Sequence, residues 1–124
     1  MGVKMKVLIV QSAYEIGRMW QNHLRRQGMI VEVVDSQERA TTSIMTYQPD
    51  IIILDLVLKR GSALAVADFA NYRAPDAQVI FVTNTSFFSD GSIFSHAANA
   101  CAFVQTATPP DDLAAMVEHY AVAR

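Results

Sequence analysis

The chain has 124 residues, of which 52% are hydrophobic and 18% are charged, and its formal net charge is −2. This composition fits one folded domain with a packed core and excludes an intrinsically disordered chain. Basic residues are scattered singly or in pairs, which excludes the basic stripe of a nucleic-acid-binding protein. No apolar run is long enough for a secretion signal or a membrane span, so we expect a cytoplasmic protein.

Short apolar runs alternate with amphipathic segments along the chain. The runs are rich in β-branched residues and mostly apolar on both faces, which predicts buried strands. In chain order the predicted strands are Val7–Val10, Ile30–Val34, Ile51–Leu54, Val79–Val82 and Ala102–Val104. In the same order the predicted helices are the segment with the stripe Ile16, Trp20 and Leu24, then Asp35–Tyr47, Leu64–Tyr72, Ser89–Ala98 and Thr108–Arg124.

Capping residues predict where several of these helices begin and end. The segments Ser12–Glu15 and Asp35–Glu38 both fit the capping box, in which the first side chain accepts a hydrogen bond from the helix backbone. Gly28 follows the first helix, where a glycine cap is expected. Pro109 is predicted at the first position of the last helix, which proline favours.

Five predicted strands that alternate with five predicted helices indicate a parallel sheet covered on both faces. With right-handed crossovers, the strand order that fits best is 2-1-3-4-5, a flavodoxin-like three-layer sandwich. In such a fold the functional crevice lies beyond the carboxyl ends of the strands, where the strand order reverses. Those strand ends carry Gln11, Ser12, Asp55, Thr83 and Thr106.

The side chains of Asp55 and Thr83 could take part in phosphoryl-group chemistry. Asp55 ends the most apolar strand, where it could be a nucleophile toward phosphoryl groups or a loop residue that accepts backbone hydrogen bonds. Thr83 could donate a hydrogen bond to a phosphoryl oxygen on Asp55, or it could be an ordinary β-branched strand residue. Position alone leaves both alternatives open for Asp55 and favours the ordinary strand residue for Thr83.

Four segments, in the correct order, resemble the receiver domain of response regulators, which is also called CheY-like. These segments are Val7–Val10 with Gly28, Asp50–Leu58 with Gly61–Leu64, Ala74–Thr83, and Ala98–Val104. The resemblance implies that Asp55 stands at the phospho-acceptor position. It also implies that Thr83 and Phe103 stand at the switch positions of the family.

The chain departs from the family pattern at the positions that support phosphoryl transfer. Gln11 and Ser12 replace the acidic pair that holds Mg²⁺ in the family, and Thr106 replaces the lysine that contacts the phosphoryl group. Lys59 stands where the family has a proline. Mg²⁺ needs oxygen ligands with carboxylates among them, and phosphoryl transfer depends on charge neutralisation. We therefore expect an atypical receiver, or pseudo-receiver, with no cofactor, no metal site and no catalytic residue.

Two basic residues follow Asp55 on the next loop. We hypothesise that Lys59 or Arg60 pairs with Asp55 and replaces the missing cations. The alternative is that both are solvated loop charges, which contribute little to stability.

Three functions are compatible with these residues. The preferred one is a single-domain response regulator in two-component signalling that acts by protein–protein interaction with little or no phosphorylation, and is not an enzyme. The second is a working phospho-acceptor, which would need Mg²⁺ and phosphorylation of Asp55 by a histidine kinase. The third is a small-molecule-binding module on the same scaffold, which no glycine-rich phosphate loop supports.

The resemblance also sets expectations about partners and domain organisation. We expect residues 1–124 to form one receiver-like domain with no output domain. The expected partner is a protein, either a histidine kinase or a downstream effector. A homodimer through the predicted helices Ser89–Ala98 and Thr108–Arg124 is also expected from the usual receiver interface.

Overall fold

Five parallel strands form one sheet in the order β2-β1-β3-β4-β5, which confirms the predicted flavodoxin-like order. The computed structural model describes residues 4–84 and 99–123. The strands are β1 (Lys6–Val10), β2 (Ile30–Val34), β3 (Ile51–Asp55), β4 (Gln78–Thr83) and β5 (Ala100–Gln105). The described helices are α1 (Tyr14–Arg26), α2 (Gln37–Tyr47), α3 (Ala63–Arg73) and α4 (Pro110–Ala123). The predicted helix Ser89–Ala98 lies outside the described residues.

The central strands are buried on both faces, because helices cover each side of the sheet. Ile9 and Ile53 belong to one apolar cluster, together with Trp20 and residues of α4. Leu54 and Phe81 belong to the cluster on the other face, which includes residues of α2 and α3. Successive strand residues point to opposite faces, which explains why these strands read as nearly continuous apolar runs.

Both capping-box predictions are wrong. The N-cap of α1 is Ala13, which has no side-chain cap, because the Ser12 hydroxyl accepts a hydrogen bond from the Lys59 backbone instead. The N-cap of α2 is Ser36, whose Oγ accepts from the Arg39 backbone N–H at 3.2 Å. Asp35 lies one residue earlier and forms ion pairs with arginines. At α1 a tertiary contact thus engages the predicted cap residue, whereas at α2 the next residue along the chain provides the cap.

The ends of α1 and α4 follow simple backbone rules. At the end of α1, Gly28 has φ +89° and its N–H bonds to Arg25 O, while Met29 N–H bonds to Leu24 O. This is the Schellman pattern, and it confirms the predicted glycine cap. The predicted start of the last helix is wrong, since Thr108 belongs to a turn in which its N–H bonds to Gln105 O. Pro110, not Pro109, is the first residue of the helix.

The two positive-φ glycines found in residues 4–84 and 99–123 should respond differently to alanine. Gly61 has φ +108°, and a Cβ added there would lie 2.2 Å from the Cβ of Gln37. A Cβ added at Gly28 would meet no heavy atom within 4 Å. A left-handed conformation costs a non-glycine residue about 1–2 kcal/mol. We expect Gly28→Ala to lower the free energy of unfolding by about that amount, and Gly61→Ala to lower it clearly more. Urea titrations would measure both, and equal losses would contradict the close packing of Gly61.

Candidate functional site

The register of the sheet brings the predicted site residues to one edge. Asp55, the last residue of β3, lies opposite Val82, so Thr83 stands one residue further along the neighbouring strand. Gln11 follows β1, and its N–H bonds to Val34 O at 3.0 Å. Thr106 follows β5, and its N–H bonds to Thr83 O at 2.8 Å. The strand order reverses between β1 and β3, so Gln11 and Asp55 flank the expected crevice.

A cleft of about 240 Å³ occupies this edge of the sheet. Its lining residues are Gln11, Ser12, Ala13, Ile16, Asp55, Val57, Lys59, Asn84 and Thr106. The structure therefore brings together the acceptor position, both positions of the replaced acidic pair, the position of the replaced lysine, and Lys59. Asp55 is the only acidic residue among those lining residues.

Asp55 is a half-buried residue of this cleft. Burial raises the pKa of the Asp55 carboxyl above its ordinary value, because the ionised form loses solvation. Two groups act in the opposite direction: the Val57 backbone N–H, which donates to Oδ1 at 2.9 Å, and the Gln11 side chain. The net result is a carboxyl that holds its proton more tightly than a solvated aspartate.

Gln11 is buried and acts as a neutral neighbour of Asp55. Its side chain is 3% exposed, and its Oε1 accepts a hydrogen bond from the Ala13 N–H at 3.0 Å. The amide lowers the pKa of Asp55 as a donor would, yet its Nε2 has no partner in good hydrogen-bond geometry among the described residues. We therefore interpret Gln11 as a dipole directed toward the carboxylate and not as a formed hydrogen bond.

The donor set of the cleft does not fit Mg²⁺. The Gln11 Oε1 already accepts from Ala13, and the Ser12 Oγ already accepts from the Lys59 N–H at 3.0 Å. Among the described lining residues, Asp55 then remains as the single charged oxygen ligand, whereas Mg²⁺ sites combine carboxylates with near-octahedral geometry. Within residues 4–84 and 99–123, no group of three His, Cys, Asp or Glu side chains is placed to hold a metal ion.

The hypothesis that Lys59 or Arg60 pairs with Asp55 is wrong. Arg60 turns away from the cleft, and its Nη2 lies 3.2 Å from Asp35 Oδ2. Lys59 contacts the site through its backbone, and the ion pairs found within the described part of the chain do not include its ammonium. The exposed Arg60–Asp35 pair contributes at most about 1 kcal/mol to stability.

The two predicted switch positions lie beside the cleft but do not line it. Thr83 is buried at the end of β4. Phe103 is half-buried on β5, where its ring stacks on Phe81 with a centroid distance of 5.3 Å. Packing within the sheet therefore fixes both residues. Their switch roles remain predictions.

Sequence patterns missed the contacts that order the loop between β3 and α3. Gln37, at the start of α2, donates its N–H to Arg60 O at 3.0 Å and accepts from the Ser62 N–H through Oε1 at 2.8 Å. The capping-box pattern predicts that Ser12 is a helix cap, whereas in the structure its Oγ accepts a hydrogen bond from the Lys59 N–H. One sequence feature could have indicated this bond, since a non-proline residue at position 59 has a free backbone donor.

Removing the charge of Asp55 should stabilise the protein at neutral pH. Because folding raises the pKa of Asp55, the stability linked to its proton is present at low pH and is lost as the pH rises through the raised pKa. Asp55→Asn keeps the Oδ1 acceptor for Val57 and removes the buried charge. We expect a higher free energy of unfolding at pH 7 and no gain near pH 3, where the carboxyl is neutral in both states. Exposed Asp76→Asn is the control, and an equal gain there would contradict this cause.

The fold and the cleft together define a parallel α/β sandwich with the Asp55 carboxylate at its strand-order reversal. A family description, the response regulator receiver domain, matches residues 7–118. The chain belongs to this family, and it is therefore a receiver domain of the two-component response-regulator type, a class that interacts with kinases or effectors. No curated protein sequence gives a significant match. No helix in the described ranges is long and apolar enough to cross a membrane.

Solved receiver domains share the fold at low sequence identity. A CheY-like response regulator receiver domain protein from Methanospirillum hungatei has a TM-score of 0.89 at 21% identity, over 98% of this chain and 96% of that chain. The receiver domain of NtrX from Brucella abortus has a TM-score of 0.85 at 18% identity, over 95% and 99%. The non-phosphorylated HemR receiver domain from Leptospira biflexa has a TM-score of 0.84 at 18% identity, over 95% and 94%.

Proposed function

We propose that this chain is an atypical response regulator that acts by protein–protein interaction, with little or no Mg²⁺-dependent phosphorylation of Asp55. One observation carries the proposal: the described residues that line the cleft offer no carboxylate besides Asp55, and the oxygens of Gln11 and Ser12 already accept backbone hydrogen bonds. The chain then has no catalytic residue and needs no cofactor. It would act inside the cell as a binding module.

The electrostatics of the cleft support this proposal. Phosphoryl transfer is promoted mainly by positioning and by neutralisation of developing charge. Loss of one such electrostatic group commonly lowers a rate on the order of a hundredfold or more. Here Gln11 and Ser12 replace the family's acidic pair, and Thr106 replaces its lysine.

A working phospho-acceptor is the second candidate, and the placement of three residues favours it. Asp55, Thr83 and Phe103 all occupy the positions that the family pattern assigns to acceptor and switch. In that case a histidine kinase would be the partner and Mg²⁺ would be required. The donor set described above opposes this function, so we rank it second.

The small-molecule module receives little support from the cavity near the start of α2. The cavity of about 490 Å³ near the start of α2 is lined by Ser36, Gln37, Glu38, Arg39, Thr41, Arg60 and Gly61. Pockets for small organic ligands are mostly lined by apolar and aromatic side chains. This lining is entirely polar or glycine, which is unlike such a pocket.

The proposed partner is a histidine kinase or a downstream effector, bound without nucleic acid or membrane. A homodimer through α4 and residues 89–98 remains a prediction, since the second of these segments lies outside the described residues. The receiver identity supports an interaction role in general, and the poor fit of the described cleft residues to Mg²⁺ is the reason to expect binding without phosphorylation.

Affinity capture can test whether binding depends on Asp55 phosphorylation. The full chain and its Asp55→Asn variant would be immobilised and exposed to an extract of the source organism, with and without a small phosphodonor and Mg²⁺. We expect the same partners in the same amounts in all four samples, quantified by mass spectrometry. A partner retained only by the wild-type chain with the phosphodonor would favour the phospho-acceptor function instead.

A further inference from the structure

The loop between β3 and α3, residues 56–62, is fastened at both of its sides. On the side of β1, the Ser12 Oγ accepts from the Lys59 backbone N–H at 3.0 Å, although the two residues are 47 positions apart in the chain. On the side of α2, Gln37 bonds to Arg60 O at 3.0 Å and to the Ser62 N–H at 2.8 Å. The loop is therefore held across the mouth of the cleft and not only by its own ends.

The Ser12–Lys59 bond combines two departures from the family pattern, of which the free backbone N–H at position 59 is the one that the bond requires. A proline at position 59 would have no N–H to donate, and an aspartate at position 12 would be needed for the metal. Here a neutral hydroxyl and a free backbone donor meet instead. The oxygen at position 12 is thus used to fix the loop at the place where an ion-binding receiver would use it as a cation ligand.

We propose that Ser12 and Lys59 form a latch that holds the 56–62 loop in one conformation without any bound cation. The latch gives the loop a constant surface, in which Val57 is 62% exposed and Lys59 is also exposed. The loop then presents the same surface to a partner whatever the state of Asp55. This inference rests on the proposed function, because it supplies the structural reason why binding would not need phosphorylation.

The latch predicts a specific pattern of amide hydrogen exchange, measured by NMR on the full chain without Mg²⁺, phosphodonor or partner. In Ser12→Ala the Lys59 amide should exchange about fivefold faster, as expected when a hydrogen bond of ordinary net strength is lost. Ser12→Thr keeps the hydroxyl and should retain the protection. Lys59→Ala keeps the N–H but removes the ammonium, so residue 59 should stay protected there too.

A second comparison keeps the latch falsifiable if one variant is generally destabilised. Lys59→Pro removes the donor, and combining it with Ser12→Ala should add little to the exchange of the Ser62 amide, because both changes break the same bond. Unchanged protection of the Lys59 amide in Ser12→Ala, or fully additive effects of the two changes on the Ser62 amide, would overturn the latch. Such a result would leave the capture experiment unaffected, so failure of the latch and failure of the proposed function can be told apart.

Discussion

Replacing Gln11 and Ser12 together by aspartate is expected to create Mg²⁺ affinity that the wild-type cleft lacks. Both positions line the same cleft as Asp55, so the double variant would place three carboxylates around one point. Two unit charges about 4 Å apart interact by about 4 kcal/mol at the effective dielectric of a protein surface. We therefore expect the affinity to rise on the order of a thousandfold, measured by calorimetric titration with MgCl₂.

The same double variant should also become dependent on the metal for stability. Without Mg²⁺ the clustered carboxylates repel one another, so its melting temperature should fall below that of the wild-type chain. Adding Mg²⁺ should raise it again, since a ligand that binds only the folded state stabilises that state. Adding Asp55→Asn as a third change is the control and should remove most of the gained affinity. Tight Mg²⁺ binding by the wild-type chain would contradict our account of the cleft.

Truncation of Phe81 is expected to have the largest effect on stability. Phe81 is fully buried in β4 and stacks on Phe103, the switch position on the next strand. Phe81→Ala removes a large core side chain and the aromatic contact, which should cost about 4 kcal/mol. The melting temperature should then fall by more than about 10 °C. Fluorescence of Trp20, the single tryptophan, can follow unfolding in urea.

Two variants act as controls for the Phe81 prediction. Phe81→Leu keeps most of the volume and should cost only about 1 kcal/mol. Phe103→Ala changes a half-buried residue and should cost clearly less than Phe81→Ala. If Phe81→Ala and Phe103→Ala were equally destabilising, the assignment of Phe81 to the interior and Phe103 to its margin would be wrong.

The strand pattern of the sequence was sufficient to predict the fold. Apolar runs of β-branched residues identify strands that are buried on both faces, and the described helices fall between them as expected. The sheet order followed from the rule of right-handed crossovers. Element ends were less predictable: α2 begins at Gln37 and not at Asp35, because Ser36 caps the helix while Asp35 is engaged by arginine side chains.

The site was predictable as a set of positions but not as a set of contacts. Strand ends predicted that Gln11, Ser12, Asp55 and Thr106 would share one edge, and these residues do line one cleft. The partner of Arg60 could not be predicted, because a long side chain reaches acceptors on several neighbouring loops. Arg60 pairs with Asp35, which is 25 residues away in the chain.

The sequence patterns also failed to predict which backbone N–H group donates to the Ser12 side chain. Helix-capping rules assign Ser12 to the backbone that follows it, since they consider only nearby residues. The actual donor is the Lys59 N–H, which the fold brings to the cleft from the loop that follows β3. Loop positions are set by tertiary contacts of this kind, so the Ser12–Lys59 bond became visible only in the structure.

The most direct test of the central claim is whether Asp55 accepts a phosphoryl group. The wild-type chain would be incubated with a small phosphodonor and Mg²⁺ at neutral pH, and its intact mass would be measured alongside that of Asp55→Asn. We expect the wild-type mass to remain unchanged, as in the variant, because the described lining residues offer one carboxylate, Asp55, and Thr106 stands in place of the family's lysine. A stoichiometric gain of one phosphoryl group by the wild-type chain alone would contradict the account.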